Sequence, residues 1–385
     1  MRVSFLCISY ESGRDGVGDY VAQFARALCQ REHKCQVIAL ADRFVKSPSI
    51  GWDAPGPFEV VRIPARSWQR ADIGIAEERL SKFAPDWISL QMVSYGFEKQ
   101  GLLWRSARQF DHLRGACRRH MMFHEIWIGD SDRNSLGDRI LGWLQRRLLL
   151  RATQIWAPTV IHTSNPLYCE LLRRAGVEAL ELPIPGNIPV CPVEAASARR
   201  ILLERAGVHD CDLDVALLAG VFGTAHREWA SSDWLERLSE VARQVGRRLV
   251  LIQFGRSGAI GREVFADLSK RLRSAVHFVE LGELTGKDVS EVLQGLDFGV
   301  ATSPWPLVGK SGTVAAMLEH GLPVLVTRSD LQLRVGPTPE PSAHPLLYTF
   351  DDFCSTLRGR GLRRTTPRRR LDIYESFLSA LQSSP

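Results

Sequence analysis

A lysine and two hydroxyls within five residues, Gly309-Lys310-Ser311-Gly312-Thr313, are the group in this chain best suited to hold an anion. They stand where an apolar run of strand length, 296–302, is broken by Pro304-Trp305-Pro306 and gives way to 311–320, a segment rich in helix formers. Gly321-Leu322-Pro323 ends that helix and 324–327 reads as a further strand, so the unit is βαβ with the lysine loop at the helix N-terminus. A helix start carries N–H groups without intrahelical partners and the positive end of the dipole, and glycine lets a phosphate reach the backbone. A P-loop is excluded by counting, because Pro304 stands five residues before Gly309, where that motif needs glycine. A helix cap with a solvated lysine is the plainer explanation of the same residues.

A second glycine loop opens the chain. The apolar run 3–9 leads into Gly13-Arg14-Asp15-Gly16-Val17-Gly18, and Val21, Phe24, Ala25 and Leu28 then fall on one helix face. With a strand at 37–40 this is the βαβ start of a doubly wound sheet, its loop at the carboxyl edge of the strands.

Alternating elements must position both loops. Helices are expected at 70–83, 136–152 and 166–175, with strands at 86–92, 121–123, 153–158 and 179–182. Pro183, Pro185, Pro189 and Pro192 then crowd around Asn187, a run that continues neither a helix nor a central strand, and the hinge is placed there. Beyond it come strands at 214–221, 249–254 and 276–281 and helices at 233–245, 262–273 and 287–293, the last with Thr285 as N-cap. Residues 334–345 read as loop, 346–350 as a last strand and 371–382 as a last helix. The fold class is α/β, with Rossmann-like doubly wound domains over 1–186 and 187–385 and the cleft between them as the default ligand site.

At 385 residues the chain is too long for one ordinary α/β core, and 45% hydrophobic with 24% charged residues is a globular composition, not a disordered one. A formal charge of +6 suits anionic substrates or an anionic membrane surface. The eight cysteines form no Cys-x-x-Cys pair, which argues for thiols in a reducing compartment and against a zinc site. The N-terminus lacks the form of a signal peptide, and no stretch approaches the ~18 to 20 uncharged apolar residues that span a bilayer. A cytoplasmic location is expected, at the inner face of the membrane if the basic amphipathic segment 136–152 makes a peripheral contact with lipid. Core packing with a solvated face explains that segment more cheaply.

Several stretches together resemble the landmarks of GT-B glycosyltransferases, in family order over nearly the whole chain. They are Gly16-Val17-Gly18-Asp19-Tyr20-Val21, Phe123-His124, Pro183-Ile184-Pro185-Gly186-Asn187-Ile188-Pro189, Leu296-Asp297-Phe298-Gly299-Val300 and Gly321-Leu322-Pro323-Val324. The resemblance is to the large retaining group, family 4. It implies two domains facing a cleft, a UDP- or GDP-linked sugar donor held by the C-terminal one, a glycan or lipid-linked acceptor held by the N-terminal one, and neither cofactor nor metal. The last helix is expected to pack back on the N-terminal domain, and no nucleic acid is implicated.

By position, the resemblance makes Gly16 and Gly18 a loop that approaches the donor phosphates, and His124 the histidine that contacts the transferred sugar or acceptor, with Glu125 beside it to orient it. Lys310, Ser311, Gly312 and Thr313 are the phosphate seat. Relatives place an Arg and a Lys after the first C-terminal strand, and His226 or Arg227, with Arg256 at a neighbouring strand end, are the cations found here. Relatives also carry two glutamates eight residues apart, and counting back from Gly321 puts Val308 and Ala316 at those places. Glu319 lies three residues late on a similar helix face and joins the donor-binding candidates.

The loss of both carboxylates favours, as an alternative, a GT-B-fold binding protein impaired in catalysis. A second alternative is an NAD(P)-dependent oxidoreductase with Asp42 as its ribose-binding carboxylate, although Val21 stands where the third glycine or alanine of that fingerprint belongs.

Overall fold

The computed structural model describes residues 1–65, 70–113, 115–207, 215–225, 227–230 and 233–383. Two compact units result: Met1–Pro183 with Gln332–Pro339 and Leu371–Pro385, and Ile184–Leu331 with Glu340–Arg370.

The first unit runs β1 (Arg2–Cys7), α1 (Gly16–Cys29), β2 (Lys34–Asp42), β3 (Ser49–Trp52), β4 (Glu59–Pro64), α2 (Arg70–Phe83), β5 (Trp87–Met92), α3 (Ser94–Phe97) and α4 (Ser106–His112). It continues with β6 (Arg118–Phe123), α5 (Leu136–Trp156), β7 (Val160–Thr163), α6 (Pro166–Arg174) and β8 (Leu180–Glu181). The strands order as β3-β4-β2-β1-β5-β6-β7-β8, parallel except for β3. β1 is central, with successive strands added on one side and then the other, so the order reverses between β1 and β5. Nearly every residue of β1, β2 and β5 is buried, as a sheet covered on both faces requires.

Helix starts are fixed by side chains. Asp15 accepts the Val17 N–H at the start of α1, and Ser135 with Asp138 forms a capping box on α5. The strand expected at 153–158 is instead the last turn of α5 and the turn after it. Thr153 bonds back to the Leu149 carbonyl at 2.9 Å, and the buried Trp156 donates to the His120 carbonyl at 3.2 Å, so the helix keeps its apolar face on the sheet and β7 starts seven residues later.

The second unit runs α7 (Ala195–Arg205), β9 (Ala216–Phe222), α8 (Arg227–Ala230), α9 (Trp234–Gln244), β10 (Arg248–Phe254), α10 (Gly258–Leu272), β11 (Val276–Gly282) and α11 (Gly286–Gly295). Then come β12 (Phe298–Ala301), a 3₁₀ turn (Trp305–Lys310), α12 (Gly312–Glu319), β13 (Val324–Val326), β14 (Leu347–Tyr348) and α13 (Phe350–Arg358). Thr285 caps α11 as expected. All six strands are parallel in the order β11-β10-β9-β12-β13-β14. Strand alternation splits the core in two: Leu218, Val250 and Ile252 pack with α7, α11 and α12, while Leu217, Leu249 and Leu251 pack with α9, α10 and α13. The reversal point lies between β9 and β12. The last helix, α14 (Asp372–Ser383), belongs to the first unit, where Tyr374 and Phe377 meet Phe24 edge-to-face at 5.0 and 5.3 Å.

Among the described residues, seven cysteines are free thiols, no group of His, Cys, Asp and Glu is placed to hold a metal ion, and no helix is long and apolar enough to cross a membrane.

Candidate functional site

In a doubly wound sheet, ligands collect at the carboxyl edge of the strands where the order reverses. In the second unit that edge is formed by the loops after β9 and β12. Gly223 closes β9 with φ +86°, and a Cβ there would stand 3.4 Å from Thr313 Cγ2, so the two loops touch. Thr302 Oγ1 donates to the Thr224 carbonyl at 3.2 Å and ties them again.

Ser311 caps α12 by accepting the Val314 N–H at 3.4 Å, and its hydroxyl lies 3.0 Å from that of Thr313. Nothing lies within 4 Å of the place a Gly312 Cβ would take, so the first turn is approachable. Lys310, Ser311, Gly312 and Thr313 are all half-buried at this turn. Main-chain N–H groups and two hydroxyls thus share one small surface suited to a di-anion, with Lys310 directly before the cap in sequence.

The other expected cations are held elsewhere. Arg227 on α8 pairs with Glu263 at 2.8 Å, both well exposed, and Arg256 pairs with Glu283 at 3.3 Å. Exposed pairs of this kind contribute little to stability. His226 lies outside the described residues.

Glu319 has a structural task. It is 2% exposed, and its Oε1 accepts the Gly186 N–H at 3.0 Å, fastening the proline-rich stretch onto α12. Burial raises its carboxyl pKa, opposed by that N–H and by the charges of Arg369 and Arg370. A Cβ on Gly186 would lie 2.8 Å from Ala316 Cα, so the backbones meet too closely for any other residue. Val308 and Ala316 are buried apolar filling. The Glu319 Oε2 is buried with no hydrogen-bond partner among the described residues, so half of the carboxylate's acceptor capacity is left over.

In the first unit, Gly16 is the first residue of α1 and is exposed, with open space where a Cβ would be. Gly18 is buried, and a Cβ there would come within 2.8 Å of the Ser9 carbonyl, so it serves helix–strand packing. The intervening loop is braced from below. Tyr10 donates its hydroxyl to Asp53 at 2.8 Å, Arg26 grips Asp53 with two bonds of 2.8 Å, and Asp15 takes the Ser9 hydroxyl at 2.5 Å.

Asp42, the ribose-binding candidate of the oxidoreductase alternative, is fully buried. It accepts the N–H groups of Tyr10 and Phe44 at 3.1 and 2.9 Å and Arg62 Nε at 2.7 Å. Its acceptor capacity is used by the loop, and that alternative loses its carboxylate.

His124 follows β6 directly and is half-buried, its N–H extending the ladder to the Met92 carbonyl at 3.1 Å. Its ring meets Tyr20 of α1 edge-to-face at 4.8 Å, and its Nε2 lies 2.8 Å from Gln91 Oε1. The histidine and the helix that carries Gly16 thus come together at one edge of one sheet. Glu125 is half-buried in the loop that follows.

Sequence reasoning passed over Gln91, and it leads inward. Gln91 Nε2 donates to Ser89 Oγ at 2.7 Å, Ser89 Oγ is 2.7 Å from His120 Nδ1, and His120 Nε2 is 2.9 Å from His162 Nδ1. All four are at most 2% exposed. Polar residues at alternate positions in otherwise apolar strands, Ser89 and Gln91 in β5 and His120 in β6, were the available signal.

Burial holds both inner histidines neutral, with His120 pushed well below the usual imidazole value by desolvation and then by the charges of His162 and His124, and His162 lowered to about 4 by desolvation. The unfolded chain takes up protons near pH 6.5 while the folded chain resists until about pH 4, so stability rises with pH across that window. Urea denaturation should show a loss of about 3 kcal/mol between pH 6.5 and 4 from His162 alone. A His162→Leu variant should show a flatter acid limb.

The fold is GT-B. Solved structures similar over essentially the whole chain include HepE from Anabaena in complex with UDP and glucose, at 14% identity and a TM-score of 0.57 over all of both chains. A glycosyltransferase from Rickettsia africae matches at 11% identity and 0.57, covering all of this chain and 93% of that one. The catalytic domain of starch synthase IV from Arabidopsis thaliana, bound to ADP and acarbose, matches at 13% and 0.56, covering 99% and 94%. No protein-family model matches the chain, and no curated protein matches it in sequence.

Proposed function

We propose that this chain is a glycosyltransferase that takes a hexosyl group from a nucleoside diphosphate donor and passes it to a hydroxyl of a glycan or lipid-linked acceptor. One observation carries the reading: the approachable first turn of α12, with Lys310, Ser311 and Thr313, set at the reversal point between β9 and β12. Departure of a nucleoside diphosphate develops negative charge on the β-phosphate, and fixed N–H groups, hydroxyls and a cation stabilise that charge without reorganising. Arg256 and Arg227 add charge once released from their exposed partners. His124 is the residue proposed to engage the sugar or the acceptor hydroxyl. The fold shared with proteins solved in complex with UDP or ADP supports a nucleotide donor.

The course proposed is retention without a metal ion, resting on the resemblance to the retaining family. The site proposed is cytoplasmic with a peripheral contact to the membrane. In its support, Leu136, Ile140 and Trp143 lie exposed along the outer face of α5, with the Arg147 guanidinium 4.7 Å from the Trp143 ring. An apolar stripe with arginines beside it suits an anionic lipid surface.

The reading is tested by calorimetric titration with UDP, GDP, ADP, NAD and NADP in the presence of a chelator. One nucleoside diphosphate should bind, stabilising the fold by ~2.7 kcal/mol at a hundredfold excess over Kd. Lys310→Ala should weaken it about tenfold, or ~1.4 kcal/mol. A preference for NAD or NADP would overturn the reading. Binding without any sugar transfer would favour the catalytically impaired GT-B protein that the missing glutamates at Val308 and Ala316 allow.

A further inference from the structure

The polar chain behind His124 has one direction. Gln91 turns its amide nitrogen to Ser89, so its carbonyl oxygen faces His124 and requires an N–H at Nε2. Ser89 Oγ, already an acceptor for Gln91, gives its own proton to His120 Nδ1, and His120 Nε2–H is then the donor to His162 Nδ1. Each group donates to the next and none is asked to donate twice. Protonating His162 at Nδ1 would set it against the His120 Nε2–H in a dry interior, where an unmade hydrogen bond is costly.

Rigid surroundings hold the chain. Phe377 of α14 lies edge-on to His120 at 5.2 Å and at 6.3 Å from His162, and Tyr20 packs on His124. Three strands contribute, β5, β6 and β7, each parallel to the next and in fixed register. The single outlet is His124, the only member at the carboxyl edge and the only one more than 2% exposed.

We propose that Gln91 is a positioning residue for His124, held in one amide orientation by Ser89, His120 and His162, and that it fixes the proton of His124 on Nε2 and the ring's Nδ1 edge for use at the carboxyl edge of the sheet. The role in transfer rests on the reading of His124 given above, whereas the tautomer does not. With its proton committed to Gln91, a neutral His124 offers Nδ1 as an acceptor. It can take a hydrogen bond from a sugar or acceptor hydroxyl, which suits a base or orienting group better than a donor to phosphate. A ring free to exchange tautomers would divide its population between an acceptor and a donor at Nδ1.

The test is long-range ¹H–¹⁵N spectroscopy of the full chain labelled in histidine, with Gln91→Leu, Gln91→Glu and Ser89→Ala compared with the parent, alongside steady-state transfer kinetics. In the parent, His124, His120 and His162 should all carry the proton on Nε2. Gln91→Leu should leave His124 a mixture of tautomers and lower kcat about tenfold or more, with KM for the donor changed less than twofold. Gln91→Glu keeps an acceptor for Nε2–H and should restore the tautomer and much of kcat, while moving the pH profile alkaline because a carboxylate favours the charged imidazole. Ser89→Ala should fall between the two. A parent His124 protonated on Nδ1, or a folded Gln91→Leu variant with parental tautomer and kcat, would overturn the proposal. Should no nucleotide sugar be turned over, the reading of the site fails, and the spectra still decide whether Gln91 sets the tautomer.

Discussion

Replacing His124 with alanine is expected to lower sugar transfer about a hundredfold or more while leaving the affinity for the nucleoside diphosphate within a factor of two. A positioned proton-transfer group typically contributes ~10² to 10⁴ in rate. The first turn of α12 is built from loops of its own unit. The variant should fold, because His124 is half-buried and lies beyond the last residue of β6. His124→Gln keeps a polar group of similar reach and separates shape from chemistry. Transfer within fivefold of the parent in both variants would remove His124 from the mechanism.

Gly142→Ala is expected to be the most damaging small substitution near the site. A Cβ at Gly142 would lie 1.8 Å from the Ile128 carbonyl oxygen, and a Cβ at Gly129, whose φ is +97°, would lie 2.8 Å from the Asp138 carbonyl oxygen. These two glycines let the loop that follows His124 press against the early turns of α5. Neither neighbour is a side chain that can swing away, so the backbone must shift, at a cost of about 3 kcal/mol or more for each variant. The double variant should cost less than the sum, because one shift relieves both clashes. Gly137→Ala is the control. Its nearest neighbour would be Ser135 Oγ at 3.7 Å, so it should be neutral or stabilising by up to ~1 kcal/mol. Urea denaturation at pH 7 of the parent and the four variants decides, and a parental midpoint for Gly142→Ala would contradict the packing described.

Periodicity and punctuation made most of this fold legible before any coordinates. The phosphate-seat unit was read as strand, loop, helix and strand, and it is β12, the 3₁₀ turn, α12 and β13, with Ser311 as its cap. Short or weakly patterned elements escaped notice. β3 is an edge strand of only four residues, too short for its Ile50 and Trp52 to establish a period, and α4 and α7 are short with few long apolar runs. The strand expected at 153–158 failed because Thr153, Ile155 and Trp156 favour strands locally, while tertiary packing extends α5 through them.

The site was legible in part. Residue types pointed to Lys310–Thr313 through local chemistry that needs no tertiary information. The surroundings of Glu319 and Asp42 were not legible, because a lone acidic residue at the right spacing carries no mark of whether it meets a main-chain N–H inside the fold. Gln91 and His162 lie 33 and 42 residues from the histidines they meet, and only the sheet brings them together.

Amide ¹⁵N shift mapping during titration with the tightest-binding nucleoside diphosphate tests the central claim most directly. The account predicts that the largest changes fall on Ser311, Gly312, Thr313 and Val314 and on Gly223 and Thr224, and that they persist in His124→Ala. Saturable binding that leaves the first turn of α12 undisturbed would contradict it.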